Sequence, residues 1–430
     1  MKLASTPGDV RTLDETPQSG VSVQALDLLP LHESPEANSH QEPPNFSLVQ
    51  GGPLFQLCRR AHLSGDALQS WHRPVLVITL LAWLPLLFLS VLDRQVLGGT
   101  IKISFLHDIE AHVRFLVALP VLIIAELVVQ NRTSSLIRRF VERQIVIPED
   151  FPRFKAAVDS ALRVRDSIAA ELTLVVLVYT VGLWIWRSEV ALGERTWYAA
   201  PAANQLHLTL AGFWYASVSI PIFQFILLRW YMRLGIWFRL LWQISRLHLH
   251  LSAAHPDLAG GIGFLGKSSY AFAPVLFAQG SLLAGLIASR VLYEGKDLMS
   301  FKMEAAGFVG FFVLMILGPL VMFTPLLDRA KRKSSGQYGL LANRYIFHFE
   351  AKWMRTGRAE PSELPDSEDI QAMSSLENIN SNVGKMRLIP FGTRDITHLA
   401  AATAAPLLPL SLTIFSVPQL GRFLVKILFH

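Results

Sequence analysis

Long apolar runs alternate with short charged ones along most of this chain. A helix that crosses a bilayer needs about 20 largely apolar residues, because each rises about 1.5 Å through a hydrocarbon core of about 30 Å. Six runs meet that length: Pro74 to Leu92, Glu110 to Gln130, Ile168 to Trp186, Leu206 to Leu228, Tyr270 to Tyr293 and Ala305 to Leu327. A seventh, Thr397 to Val417, is poorer and contains Pro406 and Pro409, so it reads as a span or as a re-entrant hairpin. The pattern predicts an all-α fold, a polytopic transmembrane helical bundle of six or seven spans.

The connections differ in charge. Those after spans two, four and six carry eight, five and eleven Lys and Arg residues, whereas the alternate ones carry three, two and two. Basic connections stay on the cytoplasmic side, so the N-terminus is expected there. The expected organisation is a disordered acidic tail (1–50), a membrane domain (51–327), a basic cytoplasmic segment with a flexible linker (328–396), and a final part (397–430) that ends in an apolar helix. No basic start followed by an apolar run precedes span one, which is expected to act as an uncleaved signal anchor in the plasma membrane.

Composition agrees with this class. Of 430 residues, 51% are hydrophobic and 17% charged, and mean hydropathy is +0.37; soluble domains carry about 25% charged residues. The net charge of +6 hides an uneven distribution, because residues 1–50 hold seven acids against Lys2 and Arg11. The basic balance therefore belongs to the membrane topology, and no nucleic-acid partner is expected. Cys58, the single cysteine, excludes an intrachain disulfide and thiolate metal clusters.

The sharpest motif is Gly261-Ile-Gly263-Phe-Leu-Gly266-Lys267-Ser268, which fits the phosphate-loop pattern. Its context does not fit, since no strand precedes it and span five follows at once. A glycine turn entering a helix is the plain reading, and anion or lipid-phosphate binding by Gly261, Gly263, Gly266, Lys267 and Ser268 is the chemical one. Just upstream, His248, His255 and Asp257 are weak metal candidates, as are Asp108 and His112 before span two. No cofactor is expected. Neither a Ser–His–Asp order nor an H-E-x-x-H motif supports hydrolysis, so enzymatic function is not favoured.

Ionisable residues inside spans carry more weight. Glu126 and Glu171 lie three or four residues from the cytoplasmic ends of spans two and three, roughly 5–7 Å below the interface. A charge at the centre of a span costs about 2.5–3.5 kcal/mol on insertion scales, and less near the edge. Together the two carboxylates suit a cation or a shared proton; apart, they pair with Arg132 or Arg165. Gln224 and Gln279 extend the candidate path or bond neighbouring helices. Prolines in five spans add kinks. Small residues in span five (Gly280, Ala284, Ala288 and Ser281, Gly285, Ser289) allow close helix contact within the chain or in a homo-oligomer. The leading expectation is a channel-like or transporter-like pathway for a small ion or solute. The alternatives are a scaffold or signalling component and an enzyme acting on phosphorylated lipid.

Overall fold

The computed structural model describes residues 46–49, 51, 72–93, 104–191, 196–202, 205–353 and 367–413. The acidic tail before Phe46 and the apolar stretch after Thr413 lie outside those residues. Six helical segments are long and apolar enough to cross a membrane. They are α1 (His72–Leu92), α2 (Ile109–Glu142), α4 (Ile168–Trp186), α5 (Leu210–Ile244), α6 (Phe264–Tyr293) and the run Leu298–Trp353, which contains α7 (Lys302–Leu317) and α8 (Thr324–Trp353). An amphipathic helix, α3 (Phe151–Arg165), lies between α2 and α4. After α8 come α9 (Ser367–Lys385) and α10 (Thr393–Ala404). Among the described residues the sheet is a two-stranded hairpin between α4 and α5, Ala199–Ala202 against Gln205–Leu208. The fold is an all-α bundle of a multi-pass membrane protein.

Outward-facing apolar side chains are what a lipid-facing surface requires. Leu80, Leu84, Phe88 and Leu92 on α1 are exposed, as are Leu172, Val176 and Trp184 on α4. The packed interior instead joins α2, α5 and α6 through Phe115, Leu122, Trp230, Leu241, Phe272 and Val275.

Two of the prolines sit where the helix changes pitch. Single π-turns occupy Val113–Ala118 in α2 and Tyr215–Ser219 in α5, just before Pro120 and Pro221. A proline cannot donate to the carbonyl four residues back, and that of Ser217 instead accepts the Tyr179 hydroxyl of α4 at 3.2 Å. A third π-turn, Val178–Gly182, lies in α4 itself. Pro274 begins a regular helix, and Pro319 lies in a 3-10 stretch at Gly318–Phe323.

Three boundaries differ from the sequence reading. Span four does not end at Leu228, because α5 continues to Ile244 and carries Arg229 and Arg233 inside the helix. Its extension is apolar on one face, burying Leu234, Trp237 and Leu241. The polar stretch expected to be a flexible linker contains α9, whose Val383 is buried in the common core. The seventh segment is a short α-helix followed by a 3-10 run, Ala405–Thr413, with Pro409 inside it.

That seventh segment runs beside α6. Tyr270 donates to Asp395 at 2.6 Å, Gly280 faces the Thr403 carbonyl, and Leu407 and Leu410 join Ile287 and Phe301 in one apolar cluster. Gly285 lies against Val113 of α2. The small residues of α6 are thus taken up inside the chain. A Cβ at position 280 would overlap the Thr403 carbonyl. Overpacking of this kind costs about 1–3 kcal/mol. Gly280→Val is therefore expected to lower the melting temperature in detergent and to expose the Thr393–Thr413 segment to proteolysis, whereas Gly307→Val, at an open position, is expected to do neither.

Candidate functional site

The basic ends of α2, α4 and α5 meet around four charges. Arg233 of α5 is 1% exposed at its side chain and donates to Glu126 of α2 at 2.6 Å. Arg229, one helical turn earlier, bridges the two carboxylates: its guanidinium lies 3.7 Å from Glu126 and 3.8 Å from Glu171 of α4. The order is Arg233–Glu126–Arg229–Glu171, with no net charge. Glu126 and Glu171 do converge, through an arginine that the sequence reading had counted in the basic connection after span four. The pairing partners proposed from sequence, Arg132 and Arg165, are not used. Arg165 turns instead to Asp166, at 2.6 Å.

Local geometry explains why the guanidiniums stay inside. Arg229 and Arg233 are four apart and share a face of α5. Trp230 anchors that face by donating to the Leu122 carbonyl of α2 at 2.9 Å. Its ring also lies 5.0 Å from the Arg233 guanidinium, a cation–π distance. The remaining donors of both arginines point to main-chain carbonyls before α1: Arg233 to Val49 and Arg229 to Gly51, each at 3.5 Å.

The two glutamines do not extend this network. Gln224 donates to the Gly182 carbonyl in the π-turn of α4 at 3.4 Å, and Gln279 of α6 lies beside Tyr231. The Gln279 side-chain nitrogen is buried without a partner. An apolar groove of 370 Å³ between α1, α4 and α5 has Leu81, Val175, Tyr179, Ser217 and Phe225 among its lining residues.

A second polar cluster lies at the opposite face, where sequence had suggested only a metal. Asp108 caps α2 by accepting from Ala111 at 2.9 Å and takes the Trp197 indole N–H at 2.8 Å. His112 accepts instead from Trp83 at 3.1 Å, so it does not join Asp108 in a metal site. Arg114, in the π-turn of α2, donates to the Tyr215 hydroxyl in the π-turn of α5 at 2.6 Å. Burial and the Asp108 charge push the neighbouring Tyr198 hydroxyl above its usual pKa. Nothing in the one-dimensional pattern marked Arg114, because its partner is 101 positions away.

The glycine motif holds an anion of its own. Asp257 accepts from the backbone N–H groups of Ala259 at 2.9 Å, Gly261 at 3.1 Å and Gly263 at 2.9 Å. The donors that a phosphate would need are thus occupied by an internal carboxylate. Gly260 and Gly261, at φ of 67° and 93°, provide the left-handed backbone that the turn requires. Gly266 is needed for space, since a Cβ there would stand 2.6 Å from the Pro390 carbonyl and 2.9 Å from Asp395. Lys267 is exposed, and Ser268 bonds within its own helix at 2.6 Å.

Of the three weak metal candidates, His248 separates from the other two. His248 binds Asp150 through its backbone N–H at 2.7 Å and its ring at 2.9 Å, while His255 sits beside Asp257. Among the described residues no group of three His, Cys, Asp or Glu side chains is placed to hold a metal.

No family model, curated protein or solved structure matches this chain. What the site does is therefore argued from its chemistry alone.

The Asp257 turn yields a pH expectation. Burial raises its pKa, but the N–H donors of Ala259, Gly263 and Gly261 outweigh that and hold it below the usual carboxylate value. A depressed native pKa contributes stability that is full above the unfolded value of about 3.9 and is lost as pH falls through the native one. Asp257→Asn is expected to destabilise the protein at neutral pH by about 2 kcal/mol, the scale of charge-assisted hydrogen bonds. It is also expected to flatten the fall in melting temperature below pH 4, as read by thermal unfolding in detergent.

Proposed function

We propose that this multi-pass membrane protein is transporter-like and carries a small ion or charged solute, with Arg233–Glu126–Arg229–Glu171 as the gate at its basic face. The observation that carries this reading is four charges shared among three apolar helices. Ionisable groups in spans are costly, and where they occur they mark ion and proton pathways. The network is neutral only while α2, α4 and α5 stay together. A substrate ion or a proton competing for one carboxylate loosens one bridge and leaves the others closed.

The helix irregularities support the same reading. π-turns concentrate at functional sites, and here α2, α4 and α5, the three helices of the gate, each contain one. The Arg114–Tyr215 bond ties two of them at the far end. Closure at one end and a polar cluster at the other suit alternating access.

Reconstitution into proteoliposomes tests this, with proton, sodium, potassium and chloride gradients assayed in turn. Flux of at least one species is expected, with a fall of about tenfold or more in Glu126→Gln and Glu171→Gln. Unchanged flux and selectivity in both variants would remove the gate. Glu126→Gln is also expected to lower stability by about 3–5 kcal/mol, because it leaves Arg233 buried without its close counter-charge.

One feature favours a second reading, a scaffold. Helix α8 is 30 residues long and about 45 Å in extent, and it exposes Leu340, Leu341 and Phe347. Loss of a bound partner with intact flux in Leu340→Asp/Phe347→Asp would favour it over transport.

A further inference from the structure

The segment before α1 is held as a ligand is held. Phe46, Leu48 and Val49 are 4%, 1% and 4% exposed. The Phe46 ring packs against Trp237 of α5 with centroids 6.4 Å apart. Four carbonyls of this short segment are each met by a side chain from the body. Phe46 accepts from Ser134 at 2.6 Å, Ser47 from Arg165, Val49 from Arg233 and Gly51 from Arg229. Ser47 in turn donates to Gln130 at 2.5 Å.

Recognition extends to side-chain size. Gly51 is at φ 154°, and a Cβ there would overlap the Arg165 guanidinium and the Asp166 carboxylate. The first position is thus read as an aromatic ring and the sixth as a glycine. The ordering cost of Phe46–Val49 and Gly51 and the burial of three apolar side chains are of similar size and opposite sign. A segment so held exchanges without unfolding the bundle beneath it.

We propose that the groove between α2, α5 and the α3–α4 junction is a peptide-binding site, specific for a short segment with an aromatic first and a glycine sixth residue, and that residues 46–51 are its resident, exchangeable occupant. While bound, this strap covers Arg229 and Arg233 from the water at the basic face. Its release opens a groove with three guanidiniums to a competing peptide. The site stands whether or not the protein carries a solute, because it depends only on the groove and its occupant.

Arginine modification by phenylglyoxal, read residue by residue by mass spectrometry on the full-length protein in detergent, tests this. In the unaltered chain Arg229 and Arg233 are expected to react slowly. Gly51→Val, which strains the backbone at φ 154° and crowds Arg165 and Asp166, is expected to raise both rates at least fivefold. Phe46→Ala, which empties the Trp237 contact, is expected to act in the same direction. Arg114 at the opposite face is the folding control and should keep its rate in both variants. A synthetic peptide of residues 43–53 added to Gly51→Val should restore protection, and the same peptide carrying valine at position 51 should not. Unchanged rates at Arg229 and Arg233 in both variants would overturn the strap. Faster rates that neither peptide reverses, or that both reverse equally, would overturn the specific peptide site.

Discussion

Two guanidiniums in the interior of a membrane bundle set the main constraint on this structure. A charged group taken out of water costs several kcal/mol even after relaxation, and only close counter-charges and hydrogen bonds offset that. Arg229 and Arg233 are 7% and 1% exposed. Their needs bring α2 and α4 to α5 through Glu126 and Glu171, and bring Val49 and Gly51 across the top through their carbonyls. Trp230 then fixes α5 against α2. The packing of the basic end follows from neutralising two charges.

The same physics explains what sequence could and could not reveal. The six spans were legible because hydropathy over 20 residues is a local property, and lipid imposes it strongly. Glu126 and Glu171 were legible as carboxylates inside apolar runs. Their partners were not. Arg229 and Arg233 follow an apolar run directly, and a charge there reads as the end of a span. Only the long-range pairing, 107 positions from Arg233 to Glu126, makes it favourable for α5 to carry both inward. Polar stretches mislead similarly: α9 looked like a linker because its apolar residues, Met373, Leu376, Ile379 and Val383, recur sparsely among Ser and Asn.

The glycine turn illustrates how a motif can be right in its physics and different in its use. Glycines at 261 and 263 do free backbone N–H groups to converge on an anion, as the pattern implies. The anion is Asp257, six residues before the second of those glycines. Once folded back, it lets the turn pack against the segment before α10: Arg387 accompanies it, donating to the Asp257 carbonyl at 3.2 Å and, through its backbone N–H, to Leu258 at 2.8 Å. Gly266 then admits Pro390 and Asp395 at close range. A phosphate-like nest has become a joint between two distant parts of the chain.

The two polar clusters carry different burdens. At the opposite face Arg114 donates to the Tyr215 hydroxyl and Asp108 accepts from an indole and a helix N–H, with the charges of Glu110 and Asp108 near Arg114. In the basic-face network each of the four charges faces a charge on another helix. Coulomb energy in a low-dielectric site is steep in distance and in charge state. A proton or cation arriving at Glu126 or Glu171 therefore changes the force between α2, α4 and α5 directly. On the proposed transport reading, movement is easiest at the ionic network. It is hardest around α6, where Gly280 and Gly285 put neighbouring segments in close contact. On the proposed transport reading, α6 with α10 is the fixed part of the bundle and the α4 and α5 ends at the basic face are the part that opens.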